Sequence, residues 1–160
     1  MTTATVARSG DTFRIERQTR INASPEAVYP FIEDFHRWTV WSPWEKLDAD
    51  LSREYSGGTK GVGARYAWAG KKAGAGSMEI NSASAPGRIG IRLDFLKPMK
   101  ATNAVTFTIM PEGNGSRVTW VMEGTRPFFM KLMGMIFNMD KMVGGDFEKG
   151  LAALKAAAEA

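Results

Sequence analysis

The chain has 160 residues, of which 44% are hydrophobic and 24% charged, so it is long enough for one domain with a substantial core. It has no cysteine, which excludes disulfides, thiolate nucleophiles and cysteine-ligated zinc, and its single histidine excludes a metal site built on two histidines. The net charge of +4 is scattered instead of gathered in a basic helix or stripe, so we expect no nucleic-acid partner.

The first eleven residues are polar, and no run of 18 apolar residues follows them. We therefore expect neither a signal peptide nor an integral membrane segment. The expected organisation is a single domain spanning residues 1–160, with residues 1–11 as a loose tail, in a cytoplasmic protein.

Residues 13–21 alternate apolar and polar side chains, which predicts a half-buried first strand. Arg17 and Thr19 break the pattern, because their phase places them on the apolar face. An unpaired buried charge is costly. Arg17 therefore either extends out to solvent near the strand end or serves as a polar anchor inside a pocket.

Two short helices are predicted next. Ser24 can cap a helix that begins at Pro25 and is bent by Pro30. A second short helix around residues 35–41 leads into a corner rich in proline and tryptophan. The rings of this corner are predicted to brace the short helices against the C-terminal helix; the alternative is that Trp38 or Trp44 faces a ligand.

The middle of the chain is predicted to form about six further strands. A short strand near residues 51–55 precedes a glycine-rich turn at 57–63, which lacks the Gly-Lys-Ser/Thr ending of a phosphate loop. A flexible hairpin is predicted from Gly70 to Gly76. Alternating segments separated by turns then predict an antiparallel meander, curved by its glycines, with strands at residues 65–68, 78–80, 89–95, 105–109 and 118–122.

A long helix is predicted from Phe128 to Glu159, with a kink at Gly144-Gly145. Its first half is apolar around more than half of its circumference and carries half of the ten methionines. This excess is either core packing, with methionine filling gaps, or a wall of a cavity. The antiparallel sheet needs a cover, and only this helix is long enough to provide it.

This order of elements resembles the polyketide cyclase/dehydrase and lipid-transport family, a member of the START-like (SRPBCC) helix-grip superfamily. The residues that carry the resemblance are Ile21–Tyr29, Trp41-Ser42-Pro43, Val62-Gly63, Val118-Thr119-Trp120 and Phe147–Leu151. The resemblance implies an α+β helix-grip fold: a curved antiparallel sheet of about seven strands wrapped around a long C-terminal helix, with two short helices after the first strand. It further implies a deep cavity between sheet and helix for hydrophobic or aromatic molecules.

No catalytic signature is present. His36 lies beside the tryptophan corner and is interpreted as a surface or packed residue, and no serine has the context of a nucleophile elbow. Polar groups with inward phase (Arg17, Thr19, Tyr66 and Asn103) could orient a ligand in an otherwise apolar pocket. Cyclisation of a reactive polyketide would need little beyond shape and such donors, so an enzyme is not excluded.

The sequence thus predicts a domain that binds a hydrophobic or aromatic small molecule, lipid- or polyketide-like, without metal or nucleotide cofactor. Two alternatives stay open: a polyketide cyclase or dehydratase acting in the same cavity, and a protein-interaction module with a protein partner or a second copy of itself. Strand phase and the apolar helix surface predict the ligand-binding residues Arg17, Tyr66, Trp68, Met78, Ile91, Phe95, Asn103, Phe107, Trp120, Met133 and Phe137.

Overall fold

The computed structural model describes residues 12–125 and 139–160. The predicted tail, and the part of the predicted C-terminal helix before Met139, lie outside these ranges. The strands are β1 (Thr12–Ile21), β2 (Ser52–Gly57), β3 (Ala64–Gly70), β4 (Gly74–Ser84), β5 (Arg88–Lys97), β6 (Ala101–Glu112) and β7 (Gly115–Thr125). The α-helices in the described ranges are α1 (Pro25–Val28), α2 (Pro30–Glu33) and α3 (Met139–Glu159).

The seven strands form one antiparallel sheet in the order β1-β7-β6-β5-β4-β3-β2. Strands β2 to β7 are a meander, and β1 joins its far side by pairing with β7 along its whole length, from Thr12 opposite Thr125 to Ile21 opposite Ser116. Register shifts interrupt the β4–β5 ladder after Ala75 and after Ile80. Such irregularities bend a sheet, and the predicted curved sheet under a C-terminal helix is confirmed.

The segment between β1 and β2 is more broken than the two predicted helices. Ser24 caps α1 by accepting a hydrogen bond from the backbone N–H of Ala27 at 3.2 Å, as its sequence context predicts. Pro30 then starts α2 instead of only bending α1. Two 3₁₀ helices, Phe35–Val40 and Pro43–Lys46, complete the segment.

One loop is shorter than predicted. The flexible hairpin expected from Gly70 to Gly76 is a turn of only three residues, 71–73, because both glycine-containing ends belong to the ladder between β3 and β4. Within this ladder Gly76 is opposite Trp68, and the ring of Trp68 lies over it. A Cβ at Gly76 would be 2.5 Å from Cη2 of that ring, so no larger residue fits there.

The tryptophan corner packs mainly on the sheet. The Trp38 and Trp41 rings meet Phe107 edge-on, at centroid distances of 5.7 and 5.9 Å. Trp44 alone of the three has a described aromatic contact with α3, edge-on to Phe147 at 6.0 Å. The prediction that these rings brace the long helix therefore holds for Trp44, while the other two fill the concave face of the sheet.

Helix α3 lies against the sheet through Phe147, Leu151 and Leu154, all fully buried. The ring of Phe147 stacks on Trp120 of β7, with centroids 4.0 Å apart and planes within 7°. Gly150, one turn further along, permits this approach, since a Cβ there would be 2.9 Å from Cζ3 of Trp120. Phe147, Leu151 and Leu154 thus form one apolar edge of the helix that faces the sheet.

Arg17 crosses from β1 to α3. Its Nη2 donates to Oδ2 of Asp140 at 3.0 Å, and its Nε donates to Oε1 of Glu148 at 3.3 Å. The guanidinium covers Gly144, where any Cβ would overlap it. The hydrogen bonds from Arg17 lower the pKa of Asp140 below its usual range. Helix α3 runs unbroken through Gly144-Gly145, and the first glycine makes room for the arginine.

Substituting two glycines of α3 by alanine should give opposite results. At Gly145 a Cβ meets nothing within 4 Å among residues 12–125 and 139–160, so Gly145→Ala should stabilise the protein by about 0.5–1 kcal/mol through helix propensity. At Gly150 the Cβ would press on Trp120 and on Pro43. Gly150→Ala should therefore destabilise the protein by about 1 kcal/mol or more, because overpacking outweighs propensity.

Urea denaturation of the two variants measures both effects, and each substitution controls for the chemistry of the other. Equal stabilisation by both would show that α3 does not lie as close to Trp120 as described.

Candidate functional site

A pocket of about 280 Å³ lies between the concave face of the sheet and α3. Its floor comes from strands β3 to β7, α3 contributes Val143 and Phe147, and the 3₁₀ segment contributes Trp38, Ser42, Trp44 and Glu45. A cavity of about 150 Å³ is known to hold benzene. The present pocket is therefore of a size for a ligand of roughly two rings.

Cross-strand register explains which side chains come together in the floor of the pocket. Tyr66, Met78 and Leu93 lie opposite one another on three successive strands, and all three line the pocket. Trp68 and Phe95 flank Gly76 in the neighbouring row and meet edge-on at 5.9 Å. Alternation fixes which residues share the inner face, and register aligns them into rows across the sheet.

Five of the eleven predicted ligand-binding residues line this pocket: Tyr66, Trp68, Met78, Phe95 and Trp120. Trp38 and Trp44 line it as well, and the alternative that one of them faces a ligand stays a prediction. The structure thus brings residues from strands that are distant in sequence together with a segment that has no strand periodicity.

Four predicted residues lie elsewhere. Arg17 is held against α3, and Asn103 is buried in the sheet outside the pocket lining. Ile91 and Phe107 point to the correct face but are fully buried, with Trp38 and Trp41 packed over Phe107. Met133 and Phe137 lie outside the described residues.

Glu45 is a pocket-lining residue that strand periodicity did not reveal. It lines the pocket with only 7% of its surface exposed, although it is a carboxylic acid. Its Oε1 accepts a hydrogen bond from the hydroxyl of Tyr66 at 2.8 Å, and its Oε2 accepts one from Nε of Arg53 at 2.5 Å. Its one sequence signal is a charge directly after Pro43-Trp44, in an otherwise apolar corner.

These three side chains form a polar end of the pocket, which we call the Glu45 cluster (Glu45, Tyr66 and Arg53). Burial raises the pKa of the Tyr66 phenol, and the hydrogen bond to Glu45 raises it further, so the phenol is neutral at physiological pH. The hydrogen bond to Glu45 also raises the pKa of Arg53. Arg53 reaches the cluster from β2 and is itself partly exposed, outside the pocket lining.

The rim of the pocket is fixed by Asp48. Its Oδ2 accepts the backbone N–H of Ala73 at 2.8 Å, and its Oδ1 accepts that of Lys72 at 3.0 Å. These hydrogen bonds lower the pKa of Asp48. Both Lys72 and Ala73 contribute to the pocket lining, so the β3–β4 turn is tied to the residues that follow the 3₁₀ segment.

Two buried polar atoms have no hydrogen-bond partner within residues 12–125 and 139–160: Oδ1 of Asn103 and Nε1 of Trp120. Trp120 is the informative one, because it lines the pocket while being only 2% exposed. Buried donors in proteins are almost always paired. An acceptor that reached this N–H from the pocket would satisfy it.

His36 lies away from the pocket lining, as a surface residue with about half of its side chain exposed. Its Nδ1 is 2.8 Å from Oδ1 of Asp34, and its ring stacks on Tyr55 at 3.9 Å. Within the described part of the chain, no three histidine or carboxylate side chains are grouped so as to hold a metal ion. No described helix combines the length and apolar character needed to cross a membrane.

Removing the Tyr66 hydroxyl should destabilise the protein in a pH-dependent way. The folded state raises this pKa above the unfolded value of about 10, so the stabilisation is complete below about pH 10 and is lost as pH rises further. Tyr66→Phe should therefore be less stable than wild type by about 1–2 kcal/mol at pH 8, with the gap narrowing at alkaline pH. Urea denaturation across this pH range tests it, and a gap that stays constant would contradict the buried bond to Glu45.

The sequence profile of the family "Polyketide cyclase / dehydrase and lipid transport" matches residues 12–159, nearly the whole chain. No functionally curated protein matches the chain.

Solved structures support the fold. Protein CV1439 from Chromobacterium violaceum is 18% identical with a TM-score of 0.66, covering 94% of this chain and 98% of its own. TTHA0849 from Thermus thermophilus is 22% identical with a TM-score of 0.62, covering 91% and 97%. The Aha1 dimer from Colwellia psychrerythraea is 17% identical with a TM-score of 0.60, covering 92% and 96%. With the family profile spanning β1 to α3, the chain belongs to the polyketide cyclase/dehydrase and lipid transport family.

Proposed function

We propose that this protein binds an apolar or aromatic small molecule of about two rings, or a lipid-like chain of similar volume, in the pocket between the sheet and α3. The observation that carries the proposal is the pocket itself, a space of about 280 Å³ walled chiefly by aromatic and aliphatic side chains. Binding sites for small molecules have this character, with a few polar groups to fix orientation.

The polar groups of the pocket fit such a role. The buried N–H of Trp120 has no described partner, and the Glu45 cluster lies in the same lining. An apolar ligand gains about 25 cal/mol for each Å² of apolar surface removed from water. The polar groups then select among ligands of similar size. The family name, which covers both cyclases and lipid transport, agrees with hydrophobic ligands.

A polyketide cyclase or dehydratase is a second candidate function, and the Glu45–Tyr66 pair favours it. A carboxylate hydrogen-bonded to a phenol within an apolar pocket could take up and return a proton from a bound substrate. Turnover of an aromatic polyketide that is lost in Glu45→Gln, while the ligand still binds, would support this candidate. Equal turnover in that variant would exclude Glu45 from the chemistry.

Filling the pocket from α3 should weaken ligand binding. Val143 lines the pocket, so Val143→Phe would place a ring into the space that the ligand occupies. We expect at least a tenfold loss of affinity for a bicyclic aromatic probe such as 2-naphthol, with stability changed by less than about 1.5 kcal/mol because the space is available. Fluorescence titration measures the affinity, and urea denaturation measures the stability.

The neighbouring residue supplies the control. Met142 is on the same helix and 67% exposed, so Met142→Phe adds a ring on the solvent side and should leave affinity unchanged. If Val143→Phe bound the probe as tightly as wild type, the pocket would not be the binding site.

A further inference from the structure

We infer that the Glu45 cluster is a specificity subsite that accepts a neutral hydroxyl group of the ligand and rejects a carboxylate. This inference rests on the proposed ligand binding and deepens it by naming the polar group that the ligand carries. Such a subsite separates hydroxylated aromatic or aliphatic molecules from fatty acids and aromatic acids of the same size.

Glu45 has acceptor capacity that its present hydrogen bonds do not use. An ionised carboxylate only accepts hydrogen bonds, and its two oxygens offer about four acceptor positions. The Tyr66 hydroxyl and Arg53 Nε occupy one position on each oxygen. Acceptor capacity therefore remains on a residue that lines the pocket.

Tyr66 also offers the ligand an acceptor. Its hydroxyl proton is committed to Glu45, and its raised pKa keeps that proton in place. The phenol oxygen can then only accept a further hydrogen bond. Both pocket-lining members of the cluster thus present acceptors to the ligand.

The positive charge of the cluster, that of Arg53, lies on its solvent side. Arg53 pairs with Glu45 from the side of β2, where its side chain is one third exposed, and it is outside the pocket lining. Its Nη2 donates to the backbone oxygen of Glu45 at 2.9 Å, which fixes it there. A ligand carboxylate at this end would therefore find acceptors and a negative charge before it found the guanidinium.

A hydroxyl is the ligand group that fits this end of the pocket. A hydroxyl donates to Glu45 or Tyr66 and satisfies the subsite, whereas a carboxylate has no proton to donate and suffers repulsion. A carbonyl or ether oxygen elsewhere on the same ligand could accept the N–H of Trp120, which has no partner among residues 12–125 and 139–160.

Three probes of one ring system test the inference on the wild-type protein: 2-naphthol, 2-methoxynaphthalene and 2-naphthoate. At about pH 7 the naphthol is neutral and the naphthoate ionised. We expect 2-naphthol to bind about tenfold or more tighter than either of the others, as a hydrogen bond to a charged group implies. Isothermal titration calorimetry gives the three affinities.

The Glu45→Gln variant tests whether Glu45 causes the preference for 2-naphthol. Glutamine removes the charge and supplies N–H donors, so the affinity for 2-naphthoate should rise and the preference for 2-naphthol over 2-naphthoate should fall toward unity. Glu54→Gln is the matched control, since Glu54 is exposed on β2 and its replacement should leave the preference intact.

The outcomes separate the two proposals. If 2-methoxynaphthalene or 2-naphthoate binds wild type as well as 2-naphthol, the subsite is overturned while ligand binding in the pocket stands. An unchanged preference in folded Glu45→Gln overturns the role of Glu45. Absence of saturable binding by all three probes overturns both the subsite and the proposed function.

Discussion

The close approach of helix α3 to strands β1 and β7 is the constraint on which the rest of the structure depends. It is made at two points: Phe147 stacks on Trp120 beside Gly150, and Arg17 lies over Gly144. At both points a helix glycine leaves room for a large side chain of the sheet. The helix is thereby held against β1 and β7, and the pocket is the space left between α3 and the rest of the concave face.

The extent of the pocket depends on which aromatic side chains cover the concave face of the sheet. Trp38 and Trp41 cover Phe107 with edge-on contacts, which fills one part of the face with core. Trp68 lies over Gly76 and meets Phe95, so its ring lines the floor without closing it. Aromatic rings are large and rigid, and their arrangement decides which part of an apolar surface is packed and which stays open.

The polar end of the pocket is maintained at an energetic cost. A carboxylate as buried as Glu45 is tolerated only when it is paired and hydrogen-bonded. Tyr66 and Arg53 supply those bonds from two adjacent strands, with Tyr66 in the pocket and Arg53 toward solvent. The arrangement gives an apolar site one end at which hydrogen-bond donors are favoured, and this asymmetry is what would let a pocket of this size distinguish ligands of equal shape.

Alternation along the strands was enough to identify the inner face of the sheet, because side chains of a strand point to opposite sides in turn. It put Tyr66, Trp68 and Trp120 on the face of the sheet that lines the pocket, and the Ser24-Pro25 signal located a helix start. What covers that inner face depends on segments distant in sequence and without its period. Only tertiary packing therefore decided that Arg17 contacts α3 instead of the pocket, that Phe107 is covered, and that Glu45 enters the lining. Each outcome depends on which distant segment packs against the side chain.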